Sequence, residues 1–257
     1  MWLRLRQIAL VAEQLAPAVD DLTAVLGIEV CYNDPGVRVF GLENALMPVG
    51  NQFIEVVAPI EEGTAGGRYL QRRGGDGGYM VITQCDEHAP RRRRVEDLGV
   101  RLAYSFEVPG EFTNMQLHPK ATGGTFFEID EQLGQGAHDC DGPWEPAGRD
   151  WRRAQRLDVV SAITAAEIQG DDPAATAARW GEIAEIPVLE DDLGRPTLVL
   201  DNASLRFVRC TDGRPEGLGG IDVKVADRDR VLKAARDRGC YRSDDLAYIC
   251  GMRIGLT

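Results

Sequence analysis

The feature that most constrains the fold is a repeated order of secondary structure: one strand, one helix and then three strands (βαβββ). The first copy has a helical pattern from about Ala16 to Leu26, which Gly27 closes. Its predicted strands are Gln7 to Ala12, Val37 to Leu42, Ala45 to Val49 and Phe53 to Val57. Because a helix lies between strands in each copy, the pattern predicts a mixed α/β protein of the α+β type.

The same order returns three times along the chain. A Gly-rich turn, residues 74–78, precedes the second module, and the third and fourth modules follow a segment rich in proline, glycine and charge at residues 134–156. Four βαβββ modules are therefore expected, paired into two domains. The predicted ranges are 1–133 for the first domain, 134–156 for a linker and 157–257 for the second domain.

Charge and composition restrict the partners. The net charge of −12 argues against DNA or RNA, because nucleic-acid binding relies on Lys and Arg to neutralise phosphates. No apolar run approaches the ~18 residues of a membrane span. The six cysteines show no CxxC spacing, so the sequence suggests no zinc or thiol–disulfide motif, and a reducing, cytoplasmic location is expected.

Four segments carry a family resemblance: Gln-Ile-Ala-Leu-Val, Val-Leu-Gly-Ile-Glu-Val, Phe-Ile-Glu-Val-Val and Leu-His-Pro-Lys-Ala-Thr-Gly-Gly-Thr-Phe-Phe-Glu-Ile. They resemble the vicinal-oxygen-chelate superfamily of glyoxalases, bleomycin-resistance proteins and dioxygenases, especially glyoxalase I and methylmalonyl-CoA epimerase. The best match runs from Leu3 to about Glu131. The resemblance implies two glyoxalase-like domains with curved sheets, and metal ligands on the first and last strand of each module.

Mapped onto this chain, the resemblance places the ligand positions of module one at Gln7 and Glu55, and those of module two at Tyr79 and Glu128. The separations are 55 − 7 = 48 and 128 − 79 = 49 residues. Strand alternation puts both glutamates where a buried strand prefers apolar residues, so each acid requires a reason. Coordination of a divalent ion (Mg, Mn, Ni or Zn) by Gln7, Glu55 and Glu128 is one reason. A solvated polar groove is the other.

Three further residues are candidates for substrate binding. Tyr79 departs from the superfamily pattern, which has an imidazole at this position, and a phenol is a poorer metal ligand. His118 and Lys120 precede the last strand of module two, where they could line the groove or attract an anionic group. A solvated turn lysine is the alternative interpretation of Lys120.

The second half of the chain carries no familiar ligand set. Its four corresponding positions are Ser161, Arg209, Ile221 and Gly255, and no histidine follows His138. Extradiol dioxygenases need histidines in this half, so that activity is excluded. The second domain is expected to be a degenerate copy.

Two function classes compete. The first is a metal-assisted lyase, isomerase or epimerase acting on a small oxygenated or acyl-CoA substrate, with Glu128 or Glu55 moving a proton. The alternative is a metal-free binding protein of the bleomycin-resistance type. Both predict a small-molecule ligand and neither a nucleic acid nor a membrane. The sequence leaves open whether the domains pair internally or across a homodimer.

Overall fold

The computed structural model describes residues 1–257 and contains six α-helices and seventeen strands. The helices are α1 (Leu15–Leu26), α2 (Ala65–Arg73), α3 (His88–Asp97), α4 (Pro119–Thr122), α5 (Pro173–Ala184) and α6 (Arg228–Asp237). None of them is long and apolar enough to cross a membrane.

The strands fall into two groups along the chain. The first group is β1 (Leu3–Val11), β2 (Leu42–Val49), β3 (Gln52–Pro59), β4 (Gly77–Cys85), β5 (Leu102–Tyr104), β6 (Glu107–Val108), β7 (Phe112–Thr113), β8 (Gln116–Leu117) and β9 (Phe126–Gln132). The second group is β10 (Val160–Gly170), β11 (Val188–Glu190), β12 (Pro196–Val199), β13 (Ser204–Arg209), β14 (Gly217–Val225), β15 (Tyr241–Ser243), β16 (Leu246–Ile249) and β17 (Met252–Leu256).

Each group forms one curled sheet. The first has the order β2-β3-β1-β4-β9-β7-β6, with β8 beside β9 and β5 beside β8, and the second has the order β11-β12-β13-β10-β14-β17-β16-β15. In each predicted module the first strand pairs in parallel with the last strand. The predicted α+β architecture with two curved sheets is therefore confirmed.

The chain also divides into two compact units. The first unit comprises residues 1–6, 80–145 and 165–218, and the second comprises residues 7–79, 146–164 and 219–257. The sheets follow chain order, whereas each unit combines segments from both halves of the chain. The ranges 1–133 and 157–257 therefore stay a prediction about independently folding domains.

One predicted strand is wrong and one helix is missed, and in both places turn and capping residues set the backbone. The segment predicted as a strand from Val37 to Leu42 is mostly a 3₁₀-helix, Pro35–Phe40. The Asp34 carboxylate caps it by accepting from the Gly36 N–H, and the backbone of Gly41 ends it with a φ of 68°. Helix α2 was not predicted either, and it begins where the Thr64 side chain accepts from the Gly67 N–H.

Two buried arginines of β1 bind the start of the predicted linker. The Arg4 guanidinium donates to the carbonyls of residues 137, 138 and 139 at 2.9–3.3 Å. The Arg6 guanidinium donates to the carbonyls of Cys140 and Gly142 at 2.7 and 2.8 Å, and lies 5.5 Å from the ring centroid of Trp144. Because Trp144 is also buried, this part of residues 134–156 packs as core and is not a loose connection.

Candidate functional site

In the second compact unit, Glu55 of β3 is a buried carboxylate held by two amide side chains. Its Oε2 accepts a hydrogen bond from Gln7 Nε2 at 2.9 Å, and its Oε1 accepts from Asn44 Nδ2 at 2.6 Å. Gln7 lies on β1 and Asn44 on β2, the two strands that flank β3. Only 8% of Glu55 is exposed, so the amide N–H groups replace water as its donors.

Strand register identifies Met80, and not Tyr79, as the counterpart of Gln7. In β1 and β3, Gln7 pairs with Phe53, two residues before Glu55. In β4 and β9, Met80 pairs with Phe126, two residues before Glu128. Both separations are then 48 residues (55 − 7 and 128 − 80). The one-residue offset matters because adjacent residues of a strand point to opposite faces.

The Tyr79 side chain packs within its own unit against α2. Its ring meets the ring of Tyr69 edge-on, with 4.8 Å between centroids, and only 3% of the residue is exposed. Burial raises the pKa of the Tyr79 phenol, and the negative charges around it add to the shift. The phenol therefore stays neutral. Its role in substrate binding remains a prediction.

In the first compact unit, Glu128 lies in a row that crosses three neighbouring strands. Tyr104 of β5 pairs with Gln116 of β8, and Gln116 pairs with Glu128 of β9. Gln116 Nε2 donates to Glu128 Oε2 at 2.8 Å and lies 3.4 Å from the sulfur of Met80. We call Tyr104, Gln116 and Glu128 the Glu128 row: an aromatic ring, an amide and an acid.

A second row of the same composition lies two residues from the first at each position, with Phe106 and Asn114 between strands and Asp130 on β9. The Asn114 N–H donates to the Phe106 carbonyl at 2.9 Å, and Asn114 Nδ2 donates to Asp130 Oδ1 at 3.0 Å. We call Phe106, Asn114 and Asp130 the Asp130 row. Glu128 and Asp130 share one face of β9, and the rings of Tyr104 and Phe106 lie 5.8 Å apart, so the two rows adjoin at both ends.

The acids of the two rows form a buried pair. Asp130 is fully buried and Glu128 is 7% exposed, and the two carboxyl groups, two residues apart on β9, interact with each other. No N–H or hydroxyl group donates to Asp130 Oδ2. Burial raises the pKa of both groups, and the charge of Glu128 raises the pKa of Asp130 further. Sharing one proton between the two carboxyls avoids two buried negative charges side by side.

His118 and Lys120 lie where β8 leads into α4. His118 is the N-cap of α4, and its Nδ1 accepts from the Lys120 N–H at 3.1 Å. His118 lies two residues beyond Gln116 and is half-buried, whereas the side chain of Lys120 is exposed. The capping contact gives His118 a structural role, and binding of substrate by His118 or Lys120 stays a prediction.

Register also corrects the positions chosen in the second half of the chain. Arg209 lies two residues after Phe207, which pairs with Ile168 and not with Ser161. Gly255 lies two residues after Arg253, which pairs with Gly220 and not with Ile221. Ile168 and Gly220 carry no side chain that could bind a metal. The corrected positions in the second half therefore supply no pair of ligands like Gln7 and Glu55.

The residues around Glu55 and Glu128 suit a hard cation in donor type. Carboxylate and amide oxygens are the ligands that magnesium and manganese prefer. At Gln7 the amide would have to turn its oxygen inward, because its nitrogen now faces Glu55. The thioether of Met80 suits softer metals, so the matching position in module two adds no hard ligand. No three His, Cys, Asp or Glu side chains come together as a metal cluster.

The two curled sheets, with first and last strands of each module in parallel, define a glyoxalase-like fold. A hypothetical protein from Staphylococcus aureus matches 99% of the chain, with 99% of its own length, a TM-score of 0.67 and 10% identity. Methylmalonyl-CoA epimerase from Mycobacterium tuberculosis matches 52% of the chain, with 90% of its own length, a TM-score of 0.45 and 23% identity.

Epimerase structures are thus among those similar to this chain, as the resemblance in the sequence predicted. Another is the Streptomyces coelicolor epimerase in complex with 2-nitronate-propionyl-CoA, at 20% identity, a TM-score of 0.45 and coverage of 51% of this chain and 98% of that one. No protein-family model and no curated protein matches the sequence. The likeness to the Staphylococcus aureus protein, over almost the whole chain, shows the fold and carries no information about the reaction.

Proposed function

We propose that the chain binds a small oxygenated molecule at the Glu128 row and moves a proton on it, as a lyase, isomerase or epimerase does. The observation that supports this proposal is the paired carboxyl arrangement. Glu128 keeps 7% exposure, Gln116 donates a hydrogen bond to it, and Asp130, two residues further along β9, is fully buried. A carboxyl held in this way suits general acid–base chemistry.

In the proposed reaction, Glu128 takes a proton from a carbon next to a carbonyl group of the substrate. The electron pair of that C–H bond moves onto the carbonyl oxygen, and the proton later returns to the same or a neighbouring carbon. The second carboxylate, Glu55, is proposed as an acid–base group as well. A divalent ion held by Gln7, Glu55 and Glu128 would stabilise the negative charge on the substrate oxygen.

Hydrogen–deuterium exchange tests the proton transfer across a range of candidate substrates. We expect the protein to exchange the acidic C–H of at least one member of a panel of 2-oxo acids and acyl thioesters in D₂O, followed by proton NMR. Glu128→Gln should reduce the exchange rate by at least 100-fold, because general acid–base groups contribute about 10²–10⁴.

Glu107→Gln is the matched control for the exchange experiment. Glu107 is an exposed acid on β6 of the same unit, so this variant should exchange at the wild-type rate. Exchange that survives in Glu128→Gln would exclude Glu128 as the proton carrier. Absence of exchange across the whole panel would contradict the proposed reaction class for these substrates.

Elemental analysis tests the proposed metal. Protein purified without chelator should contain close to one divalent ion per chain, because two carboxylates and one amide oxygen satisfy half of a six-coordinate shell. Glu55→Gln and Glu128→Gln should each lose the ion, whereas Glu43→Gln, an exposed acid on β2, should retain it. Metal-free protein after incubation with Mg, Mn, Ni and Zn would overturn the metal assignment.

A metal-free binding protein is the second candidate function. It is favoured by one observation: both oxygens of Glu55 already accept amide N–H groups. A carboxylate satisfied in this way needs no cation. Ligand binding without exchange or turnover would support this candidate.

A further inference from the structure

We infer that Tyr104 and Phe106 form a stacking platform for a planar, conjugated part of the ligand, whose polar oxygen lies at Gln116 and Glu128. The inference rests on the proposed small-molecule site and names the class of molecule that the site accepts. Its basis is the order of the two rows: in each row an aromatic residue pairs with an amide residue, and the amide side chain donates to an acid.

A β-bulge places Tyr104 in the Glu128 row. Leu102 pairs with Leu117, but Tyr104 pairs with Gln116, so β5 holds one extra residue at Ala103. Without the bulge, Ala103 would lie opposite Gln116 and the row would end in a methyl group. Bulges of this kind re-aim a side chain and occur next to active sites. The local backbone is therefore built to present an aromatic ring beside Gln116.

The rings form a series that is closed at one end and open at the other. Ring centroids are 5.8 Å apart from Tyr104 to Phe106, 5.7 Å from Phe106 to Phe112 and 5.4 Å from Phe112 to Trp144. Trp144 and Phe112 are each 1% exposed, Phe106 is half-buried, and Tyr104 is 41% exposed. A ligand therefore reaches the rows from the Tyr104 end.

The exposure of the acids follows the same gradient. Asp130, in the row nearer Trp144, is fully buried, whereas Glu128, in the row of Tyr104, keeps 7% exposure. A molecule that covers Tyr104 and Phe106 thus meets Glu128 and not Asp130. Planar conjugated groups gain more than saturated ones from such a surface, because aromatic rings interact in offset or tilted stacks as well as by burial of area.

2-Naphthol is a suitable probe, because it joins a planar ring system to one hydroxyl group and its fluorescence reports binding. We expect it to bind the wild-type chain in a titration. Tyr104→Ala and Tyr104→Leu should each weaken binding about 10-fold, whereas Tyr104→Phe should keep it within about twofold, because the ring supplies the contact. The saturated counterpart, 2-decalol, should displace 2-naphthol with a dissociation constant at least about 10-fold higher than that of 2-naphthol.

Phe40→Ala is the matched control, because Phe40 is 44% exposed but lies in the other compact unit, at the end of the 3₁₀-helix. This variant should bind 2-naphthol as the wild type does. Thermal unfolding of each Tyr104 variant checks that the fold persists, and Tyr104→Leu keeps apolar bulk on the strand if Tyr104→Ala does not fold.

Three results would overturn the inference: no binding of 2-naphthol to the wild type, unchanged binding by both Tyr104→Leu and Tyr104→Ala, or equal competition by 2-decalol. Binding is measured without turnover, so the binding experiment can succeed or fail independently of the exchange experiment. Tyr104-dependent binding without proton exchange would leave the platform standing and contradict the proposed reaction.

Discussion

Replacing Arg6 with methionine should lower the free energy of unfolding by about 3 kcal/mol, because the part-buried Cys140 carbonyl and the buried Gly142 carbonyl both lose a charged donor. The Arg6 side chain is 1% exposed, and its guanidinium donates to the carbonyls of Cys140 and Gly142. Methionine has a similar length but offers no N–H group. The loss of the guanidinium beside the Trp144 ring adds to the effect.

Urea unfolding and limited proteolysis measure this change. The midpoint should fall in Arg6→Met, and new cleavage sites should appear between residues 134 and 145, the segment that Arg6 holds. Arg153→Met is the matched control, because Arg153 lies in the same predicted linker with 83% of its side chain exposed. An Arg6→Met protein as stable as the wild type would show that burial of the guanidinium costs as much as its hydrogen bonds return.

The sequence could predict this fold because the modules follow local rules. The sequence predicts that Gly27 closes the first helix. Helix α1 does end at Leu26, and the backbone of Gly27 has a φ of 65°. Strands such as β1 and β3 contain enough apolar residues to be identified from the sequence. The segment at residues 35–40 could not be predicted from apolar periodicity, because Pro35 and Gly41 set the backbone there.

The candidate site was predictable only in part. An acid in the middle of a buried strand identifies Glu55 and Glu128 from the sequence alone. The same reasoning applies to Asp130, which follows Glu128 by two residues and therefore shares its face, yet Asp130 was not predicted. Asn44, Asn114 and Gln116 were also missed, because partners from other strands depend on register.

Strand register is the physical reason why the site residues could not all be predicted from the sequence. A shift of one residue exchanges the two faces of a strand. The spacing of 49 residues pointed to Tyr79, whereas the pairing of Met80 with Phe126 gives the spacing of 48 found in module one. Arg4 and Arg6 also show this limit: their burial depends on carbonyls about 135 residues away in the sequence, and nothing in the first strand indicates those partners.

Asp130→Asn should stabilise the protein at pH 8, by about 1–3 kcal/mol, because asparagine is neutral at every pH, whereas the buried Asp130 carboxyl has to take up a proton when the chain folds. The Asn114 Nδ2 donor can still reach an asparagine oxygen, and the new amide can donate to Glu128. Burial and the charge of Glu128 raise the pKa of Asp130 well above its ordinary value. The folded protein therefore retains a proton that the unfolded chain releases.

The sign of the pH dependence follows from that difference. The stability contributed by Asp130 is fully present below the pKa of an unfolded aspartate, about 4, and is lost as the pH rises through the raised pKa of the folded state. The gap between Asp130→Asn and wild type should therefore widen from pH 4 to pH 8 in urea unfolding. Glu128→Gln should flatten the dependence too, whereas Asp97→Asn, an exposed acid at the end of α3, should not. A gap that is constant with pH would show that Asp130 and Glu128 do not share a proton.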